Sequence, residues 1–287
     1  MRVVLLNGIP TSPETASISV YDRGFLYGDS VFETIRTYGS KPFALDEHLA
    51  RLERSAERVF IPFPVARATI AAEVERGLAL SQNGESFVRV MLTRGTGPLG
   101  LDPDLAENPS RVVLVEPFVP PPPEAYERGI DAIIVRSARA TDATPAAGAK
   151  VANYLTSLLA IREARRRGAV EALIVDAHGL VLEGTTSNVF FVKGGTVVTP
   201  PEEAGILAGI TRAHVLRAAD RLGIGVLLRQ VVESELFDAD EMFISSTLRE
   251  VFAVVRLDGR AIGAGKPGPV TRRIHQEFRR TVATGVI

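Results

Sequence analysis

Four consecutive prolines, Pro120–Pro123, lie near the middle of this 287-residue chain. Proline fixes its own backbone dihedral and donates no backbone hydrogen bond, so a run of prolines favours an extended polyproline conformation. The run therefore predicts a linker over residues 120–128 between two domains. The N-terminal α/β domain would cover residues 1–119, and the C-terminal α/β domain would cover residues 129–287. A chain of this length commonly forms two domains.

Strand and helix patterns are mixed in both halves of the chain. Val3–Leu6 and Phe87–Thr93 have strand patterns, and alternate side chains of the second pattern would point to opposite faces. Tyr154–Arg167 and Thr211–Leu222 have helical spacing, and each is followed by a glycine that can end a helix. Because the two kinds of element do not alternate strictly, the pattern favours an α+β (mixed α/β) fold over a doubly wound nucleotide-binding sheet.

The composition argues against several classes of protein. The 33 basic and 34 acidic residues nearly cancel, and no basic block alternates with aromatic residues, so a nucleic-acid surface is not expected. The lack of cysteine excludes disulfides and thiolate chemistry. No apolar run reaches the roughly eighteen residues that span a bilayer, and the turn at Asn7-Gly8 comes too early for a signal peptide. The four histidines have no metal-binding spacing, so no metal is predicted. We expect a soluble cytoplasmic protein.

Lys150 and Glu183 are the first candidates for chemistry. Lys150 precedes a helical pattern, and its flanking residues are small and apolar. Desolvation favours an uncharged amine, which can form an imine with an aldehyde cofactor, although a solvated lysine before a helix is the ordinary alternative. Glu183 follows at a strand end. A carboxylate there can keep a cofactor's ring nitrogen protonated, or it can simply border a turn.

An anion site is suggested by Ala208–Thr211, which opens a helical pattern. Free backbone N–H groups at a helix start suit a phosphate, although the threonine could equally be an N-cap. Thr247 could add a hydroxyl. Arg51, on another predicted helix, could bind the phosphate or pair at the surface with Glu47 or Glu53.

Arg89 is the only charged residue in the strand pattern Phe87–Thr93. A charge on an otherwise apolar strand face is costly unless it has a partner. The arginine is therefore predicted either to neutralise a buried carboxylate or to bind an acidic substrate.

Several segments together resemble the class IV aminotransferases, the pyridoxal-phosphate enzymes with the two-domain fold type IV architecture. The resemblance extends from about Tyr27 to Arg273, and its specificity comes from the order and spacing of its parts. The parts are Tyr27-Gly28-Asp29-Ser30-Val31-Phe32-Glu33, His48-Leu49-Ala50-Arg51-Leu52, Lys150 with Asn153-Tyr154, Glu183-Gly184-Thr185-Thr186-Ser187-Asn188, Gly209-Ile210-Thr211, Asp258-Gly259 and Gly265–Thr271.

The resemblance implies roles for the matching residues. Lys150 would hold pyridoxal 5'-phosphate as an imine and would move a proton between the substrate Cα and the cofactor C4′. Glu183 would pair with the pyridine nitrogen. The phosphate ligands would be Arg51, Thr211, Thr247 and the backbone N–H of Ile210. The other residues expected around the cofactor are Tyr154, Ser187, Asn188, Leu207, Gly209 and Ser246.

The resemblance also implies partners. Amino acids and 2-keto acids would be the small-molecule substrates. The protein would be a homodimer or a higher homo-oligomer, with active sites at the domain interface near residues 94–103 of a partner copy.

Within the family, the residues favour an enzyme that moves an amino group between a branched-chain L-amino acid and 2-oxoglutarate by a ping-pong mechanism. Arg89 after Phe87 resembles the branched-chain pocket, and Leu99 and Leu101 stand where D-amino-acid enzymes carry an arginine and a histidine. The alternatives are a D-amino-acid or (R)-amine transaminase and, less favoured, an aminodeoxychorismate lyase. The expected substrate-binding residues are Tyr27, Val31, Phe32, Arg89, Leu101, Thr247 and Leu248.

Three features depart from the branched-chain pattern. Thr34 stands where glycine is usual, and the spacing from Lys150 to Tyr154 is one residue shorter than usual. Arg249 adds a cation near the expected pocket. These departures leave room for mixed activity.

Overall fold

The computed structural model describes residues 1–137 and 146–284, and the chain forms two compact units. The first unit contains an antiparallel sheet. This unit comprises Met1–Val119 and Ala149–Tyr154. Its six strands follow the order β2-β1-β6-β5-β3-β4 across the sheet. They are β1 (Val3–Leu6), β2 (Ile9–Thr11), β3 (Ser30–Tyr38), β4 (Lys41–Pro42), β5 (Ser86–Thr93) and β6 (Arg111–Pro117). The helices of the unit are α1 (Arg23–Tyr27), α2 (Leu45–Arg58) and α3 (Arg67–Ser81).

The first core lies between this sheet and the helices α2 and α3. In β5, Val88, Val90 and Leu92 are fully buried in the core, whereas Arg89 and its alternate neighbours lie on the other face and are partly exposed. Alternation of side chains along a strand produces this division. The predicted alternation in this strand is therefore confirmed.

A mixed sheet forms the second unit, which comprises Pro120–Gly148 and Leu155–Ile287. Its strand order is β12-β11-β10-β13-β14-β7-β8-β9, and β15 pairs with β14. The strands are β7 (Ile130–Arg136), β8 (Glu171–Val175), β9 (Val181–Gly184), β10 (Asn188–Lys193), β11 (Thr196–Thr199), β12 (Val226–Leu228), β13 (Glu241–Ser246), β14 (Glu250–Leu257) and β15 (Arg260–Ala261). The helices are α4 (Pro123–Arg128), α5 (Leu155–Arg166), α6 (Ile210–Arg221) and α7 (Pro269–Thr284).

Parallel and antiparallel pairs occur together in this second sheet. β7 is parallel to both β8 and β14, and β11 is parallel to β12, whereas β10 and β13 pair antiparallel. Helix α5 packs on β7 and β8, and helices α6 and α7 pack on the strands β13 and β14. The predicted mixed α/β fold class is confirmed.

Two sequence-based expectations about the middle of the chain differ from the structure. Residues 120–128 were expected to be an extended linker, but Pro123–Arg128 is helix α4, and Tyr126 packs against the second core. Proline is tolerated in the first turn of a helix because its missing N–H has no partner there. The segment Ala149–Tyr154 belongs to the first unit, so Lys150 lies with that unit and not with the C-terminal domain to which it was assigned.

Within the described ranges, none of the helices is both long enough and apolar enough to span a membrane.

Candidate active site

Lys150 is held beside strand β3 by backbone hydrogen bonds in both directions. Its N–H donates to Ser55 Oγ at 3.1 Å, and its C=O accepts from Phe32 N at 3.0 Å. Its Nζ lies 3.5 Å from Tyr154 Oη and 4.7 Å from the centroid of the Phe32 ring. The short spacing between Lys150 and Tyr154 therefore still brings their polar groups together.

Glu33, His48 and Arg51 form a buried cluster between β3 and α2. Arg51 donates from Nε to Glu33 Oε1 and from Nη2 to Glu33 Oε2, both at 2.7 Å. His48 Nδ1 lies 2.7 Å from Glu33 Oε2, and Glu33 is completely buried. His48 and Arg51 share a helix face because they are three residues apart. The surface alternative for Arg51 is therefore wrong, and its guanidinium is fixed by a two-point pair.

Burial and charge shift the pKa of two members of this cluster. Burial alone would raise the pKa of Glu33, but the charge of Arg51 and hydrogen bonds from Arg51 and His48 outweigh it and hold that pKa well below its ordinary value. Burial lowers the pKa of His48, although the hydrogen bond with Glu33 opposes this effect. At neutral pH the cluster thus contains a carboxylate, a guanidinium and a neutral imidazole.

The neutral imidazole predicts a pH-dependent stability of the cofactor-free protein. Because the folded-state pKa of His48 is lowered, its contribution is fully present above the unfolded pKa of about 6.5 and is lost as the pH falls below it. The contribution of the Glu33 carboxylate begins to decline only below about pH 4.3. Replacing His48 by Gln should therefore flatten the decline of the unfolding free energy between about pH 7 and pH 5, by at most about 1.4 kcal/mol per pH unit.

Urea unfolding at several pH values measures the slope of the unfolding free energy against pH. His178→Gln, which replaces an exposed histidine in a turn, is the matched control. A slope in His48→Gln that equals that of the unsubstituted protein would contradict the prediction.

Arg89 lies on the face of β5 opposite to the core, among aromatic rings. Its guanidinium carbon is 4.4 Å from the centroid of Phe32 and 5.9 Å from that of Phe87. Its Nε is buried and has no hydrogen-bond partner among the described residues, and burial lowers the pKa of Arg89. Among the residues that the structure describes, Arg89 thus has no carboxylate partner, which was the first of the two predicted alternatives. An acidic ligand is the alternative that fits.

Three other residues predicted to bind substrate are Val31, Leu101 and Tyr27, and each has surroundings unlike those of Arg89. Val31 is fully buried in the first core, and its side chain lies on the opposite face of β3 from that of Phe32. Leu101 is 82% exposed. Tyr27 Oη accepts a hydrogen bond from Gly100 N at 3.1 Å.

In the second unit, the carboxylate of Glu183 is held near the end of β9. Its Oε2 accepts from Leu207 N at 3.2 Å and from Asn188 Nδ2 at 3.4 Å. Asn188 Nδ2 also donates to Leu207 O at 2.9 Å, and Asn188 is buried. Asn188 and Leu207 therefore fix the position of a carboxylate that the sequence placed at a strand end.

Helix α6 begins at Ile210, and Gly209 is its N-cap. A Cβ added to Gly209 would lie 1.9 Å from Asn188 Oδ1, so a residue with a side chain there would displace the Asn188 amide that holds Glu183. Within the described part of the chain, the N-cap position of this helix supplies no side-chain hydrogen bond to its first turn, and Thr211 in that turn is buried. The N-cap alternative for Thr211 is therefore wrong. A helix start of this kind favours an anion.

The turn between β13 and β14 brings together the remaining predicted ligands. They are Ser246, Thr247 and Leu248, all partly buried. Arg249 N donates to Ser246 Oγ at 3.3 Å, and the Arg249 guanidinium donates to the buried carboxylate of Glu171. Arg249 is thus neutralised and does not add an unpaired cation. Ser187, another residue expected at the cofactor, donates to Glu171 Oε2 at 3.0 Å.

Comparison with known proteins decides the family. The family model of the class IV amino-transferases matches residues 30–257. The chain belongs to the class IV aminotransferases. These enzymes use pyridoxal phosphate, so this aminotransferase is a pyridoxal-phosphate-dependent transaminase, and the predicted family and cofactor are confirmed.

Relatives cover almost the whole aminotransferase. A putative branched-chain-amino-acid aminotransferase of Methanocaldococcus jannaschii is 37% identical over 276 residues, which cover 96% of this chain and 95% of the relative. A D-alanine aminotransferase of Bacillus licheniformis is 32% identical, with coverage of 97% and 96%. The crystal structure of the Escherichia coli branched-chain amino acid aminotransferase has a TM-score of 0.91 at 34% identity, covering 97% of this chain and 93% of that one. The predicted fold type IV architecture is confirmed by this likeness.

Sequence reasoning assigned no role to Glu33, His48 and Glu171, which form the buried contacts around Arg51 and Arg249. A signal for the first two was present, because Glu33 is the single acidic residue in the strand pattern Ser30–Tyr38 and His48 lies one helical turn before Arg51. Glu171 likewise begins the apolar strand β8. Acidic residues within apolar strands are thus the useful signal here, since burial of a charge requires a partner.

Proposed function

We propose that this aminotransferase moves an amino group between branched-chain L-amino acids and 2-oxoglutarate in two successive half-reactions. The observation that carries the proposal is the surroundings of the Phe32 ring, whose centroid lies 4.7 Å from Lys150 Nζ and 4.4 Å from Arg89 Cζ. A cation for a carboxylate, an apolar ring and a reactive amine together suit an amino acid with an apolar side chain. The names of the Methanocaldococcus jannaschii and Escherichia coli relatives support this substrate class.

The residues present fit the chemical parts of pyridoxal phosphate. Lys150 supplies an amine for the aldehyde carbon, and Glu183 supplies a carboxylate for the ring nitrogen. The guanidinium of Arg51 and the uncapped start of α6 at Ile210 suit the phosphate. When bound, this cofactor withdraws electrons from the substrate Cα and makes its proton acidic.

The chain's own groups then have separate tasks. Once the substrate amine has taken its place at the aldehyde carbon, the free Lys150 amine would take the proton from the substrate Cα and would return it at C4′ of the cofactor. The Tyr154 hydroxyl, 3.5 Å from Lys150 Nζ, orients the amine. Glu183 would retain the proton on the ring nitrogen, since Leu207 N–H and the Asn188 amide hold its carboxylate in place. Arg89 binds the substrate carboxylate.

Half-reactions with single amino donors test the proposed substrate class. The holoenzyme is mixed with L-leucine, D-alanine or (R)-1-phenylethylamine, and the change in cofactor absorbance is followed without a keto acid. We expect L-leucine to react with a kcat/KM at least about tenfold above the other two donors. Conversion of D-alanine alone would overturn the proposal and would indicate a D-amino-acid transaminase, the activity in the name of the Bacillus licheniformis relative.

Arg89→Met should separate carboxylate binding from the other steps. Loss of a charge-assisted hydrogen bond of about 2 kcal/mol predicts a KM for L-leucine that rises roughly thirtyfold. The KM for (R)-1-phenylethylamine should change by less than about twofold, because this amine has no carboxylate to lose a partner. Steady-state kinetics with both donors give the comparison. Equal changes in the two KM values would remove Arg89 from the carboxylate site.

A homodimer is also proposed, and exposed apolar side chains of the first unit support it. Helix α1 and the loop over residues 94–103 are joined by a hydrogen bond from Arg23 Nη1 to Gly100 O at 3.1 Å. The large apolar side chains exposed around them are Tyr21, Phe25, Leu99 and Leu101. Such a patch is typical of a surface that another chain covers. Sedimentation equilibrium should give twice the chain mass of 30.9 kDa, and a monomeric mass would contradict this proposal.

A further inference from the structure

One side chain joins two turns of the second unit. The β9–β10 turn (residues 185–187) follows Glu183, and the β13–β14 turn (residues 247–249) contains Thr247. Arg249 belongs to the second turn, and its Nη2 donates to Glu171 Oε2 and, at 3.2 Å, to Thr186 Oγ1 in the first turn. The position of one turn is therefore linked to that of the other through a single guanidinium.

Glu171 is the buried anchor of this link. It is completely buried at the start of β8, and its Oε1 accepts from Thr185 N at 3.2 Å and from Thr185 Oγ1 at 2.6 Å. Burial would raise the pKa of Glu171, but the charge of Arg249 and hydrogen bonds from Thr185 and Arg249 outweigh it and keep that pKa below its ordinary value. The anchor is thus an ionised carboxylate that needs a cation.

The β13–β14 turn is also anchored at its other end. Glu250 has a φ of 56°, in the left-handed region that a residue with a side chain seldom adopts. Its buried Oε2 accepts from His275 Nε2 at 2.7 Å and from Arg279 Nε at 2.8 Å, both on helix α7. Two consecutive residues of opposite charge therefore bind partners on different elements, which fixes the backbone between them.

We propose that Arg249 is a positioning residue that sets the β13–β14 turn, with Thr247 and Leu248, relative to the β9–β10 turn after Glu183. The inference rests on the proposed function, in which Glu183 holds the ring nitrogen, and on the roles that the family resemblance implies for Thr247 at the cofactor phosphate and for Thr247 and Leu248 at the substrate. Displacing the turn would weaken the binding of both ligands while leaving proton transfer by Lys150 largely unchanged.

The test compares Arg249→Met with Arg256→Met in the full chain. Arg256 lies on the same strand as the turn, β14, but its side chain is half exposed, so it is the matched control. We expect Arg249→Met to raise the dissociation constant for pyridoxal phosphate, titrated into the cofactor-free protein, by roughly tenfold. The KM for L-leucine should rise by a similar factor, and kcat should change by less than about threefold. In Arg256→Met, the dissociation constant for pyridoxal phosphate, the KM for L-leucine and kcat should each stay within about twofold of the unsubstituted protein.

A double variant separates positioning from simple charge neutralisation. Arg249→Met leaves the Glu171 carboxylate buried without its cation, which could impair folding by itself. Glu171→Gln combined with Arg249→Met removes both charges. This double variant shows whether Arg249 positions the turn or only neutralises Glu171, even if the single variant does not fold. A dissociation constant for pyridoxal phosphate that stays roughly tenfold raised in the double variant supports positioning. Recovery to within about twofold of the unsubstituted protein would overturn it, because Arg249 would then only neutralise Glu171.

Failure of this inference can be told apart from failure of the proposed function. Borohydride reduction of the unsubstituted holoenzyme should leave a pyridoxyl group on the peptide that contains Lys150, as measured by mass spectrometry. Its absence would refute the proposed function. Its presence, together with unchanged ligand affinities in Arg249→Met, would refute only the role of Arg249.

Discussion

Lys150→Ala is expected to abolish transamination while leaving the fold intact. The substitution removes the amine that binds the cofactor and moves the substrate proton, so the half-reaction with L-leucine should slow by at least roughly ten-thousandfold. The backbone bonds of residue 150 to Ser55 Oγ and Phe32 N do not involve the lost side chain and should persist. Unfolding by heat should therefore occur near the temperature of the unsubstituted protein.

Two measurements check this prediction. Rapid mixing of cofactor-loaded protein with L-leucine gives the rate, and borohydride reduction should no longer attach the cofactor to the chain. Lys193→Ala is the control, because Lys193 is an exposed lysine at the end of β10. Activity in Lys150→Ala within about tenfold of the control would show that another residue transfers the proton.

Glu183→Gln is expected to lower kcat by roughly a hundredfold or more. A neutral amide cannot stabilise the protonated ring nitrogen, so the cofactor would withdraw electrons less effectively. The glutamine carbonyl can still accept from Leu207 N and Asn188 Nδ2, which is why the fold should be retained. The substitution therefore tests the charge of Glu183 and not its hydrogen bonds.

Steady-state kinetics with L-leucine and 2-oxoglutarate measure the effect. Glu203→Gln replaces an exposed glutamate in the same unit and should leave kcat within about twofold. If kcat in Glu183→Gln matched that of the control, Glu183 would have a structural role only.

The strands and helices were largely predictable because their side-chain periods are local. In β5 the sequence alternation of Val88, Val90 and Leu92 with Arg89 corresponds to a buried and a partly exposed face. Helix α4 was not predictable in the same way. The dihedral that proline fixes is compatible with both an extended chain and the first turn of a helix, so the packing of Tyr126 on the second core decides between them.

Two groups of the proposed site could be chosen from the sequence because the proposed reaction would require them. An amine at Lys150 and a carboxylate at Glu183 are needed for imine formation and for protonation of the ring, and both lie in recognisable segments. The partners that hold the other groups were not predictable. Arg51 could have paired with a helical neighbour, but it binds Glu33, which is 18 residues away. Arg249 binds Glu171, which is 78 residues away.

The sequence by itself determined the family, the cofactor chemistry and the periods of the main strands and helices. Only the tertiary structure decided which charged side chains meet, including the cluster of Glu33, His48 and Arg51 and the pair of Arg249 with Glu171. The physical reason is range: hydrophobic periodicity acts between neighbouring residues, whereas the pairing of buried charges depends on the register of strands and helices that are distant along the chain.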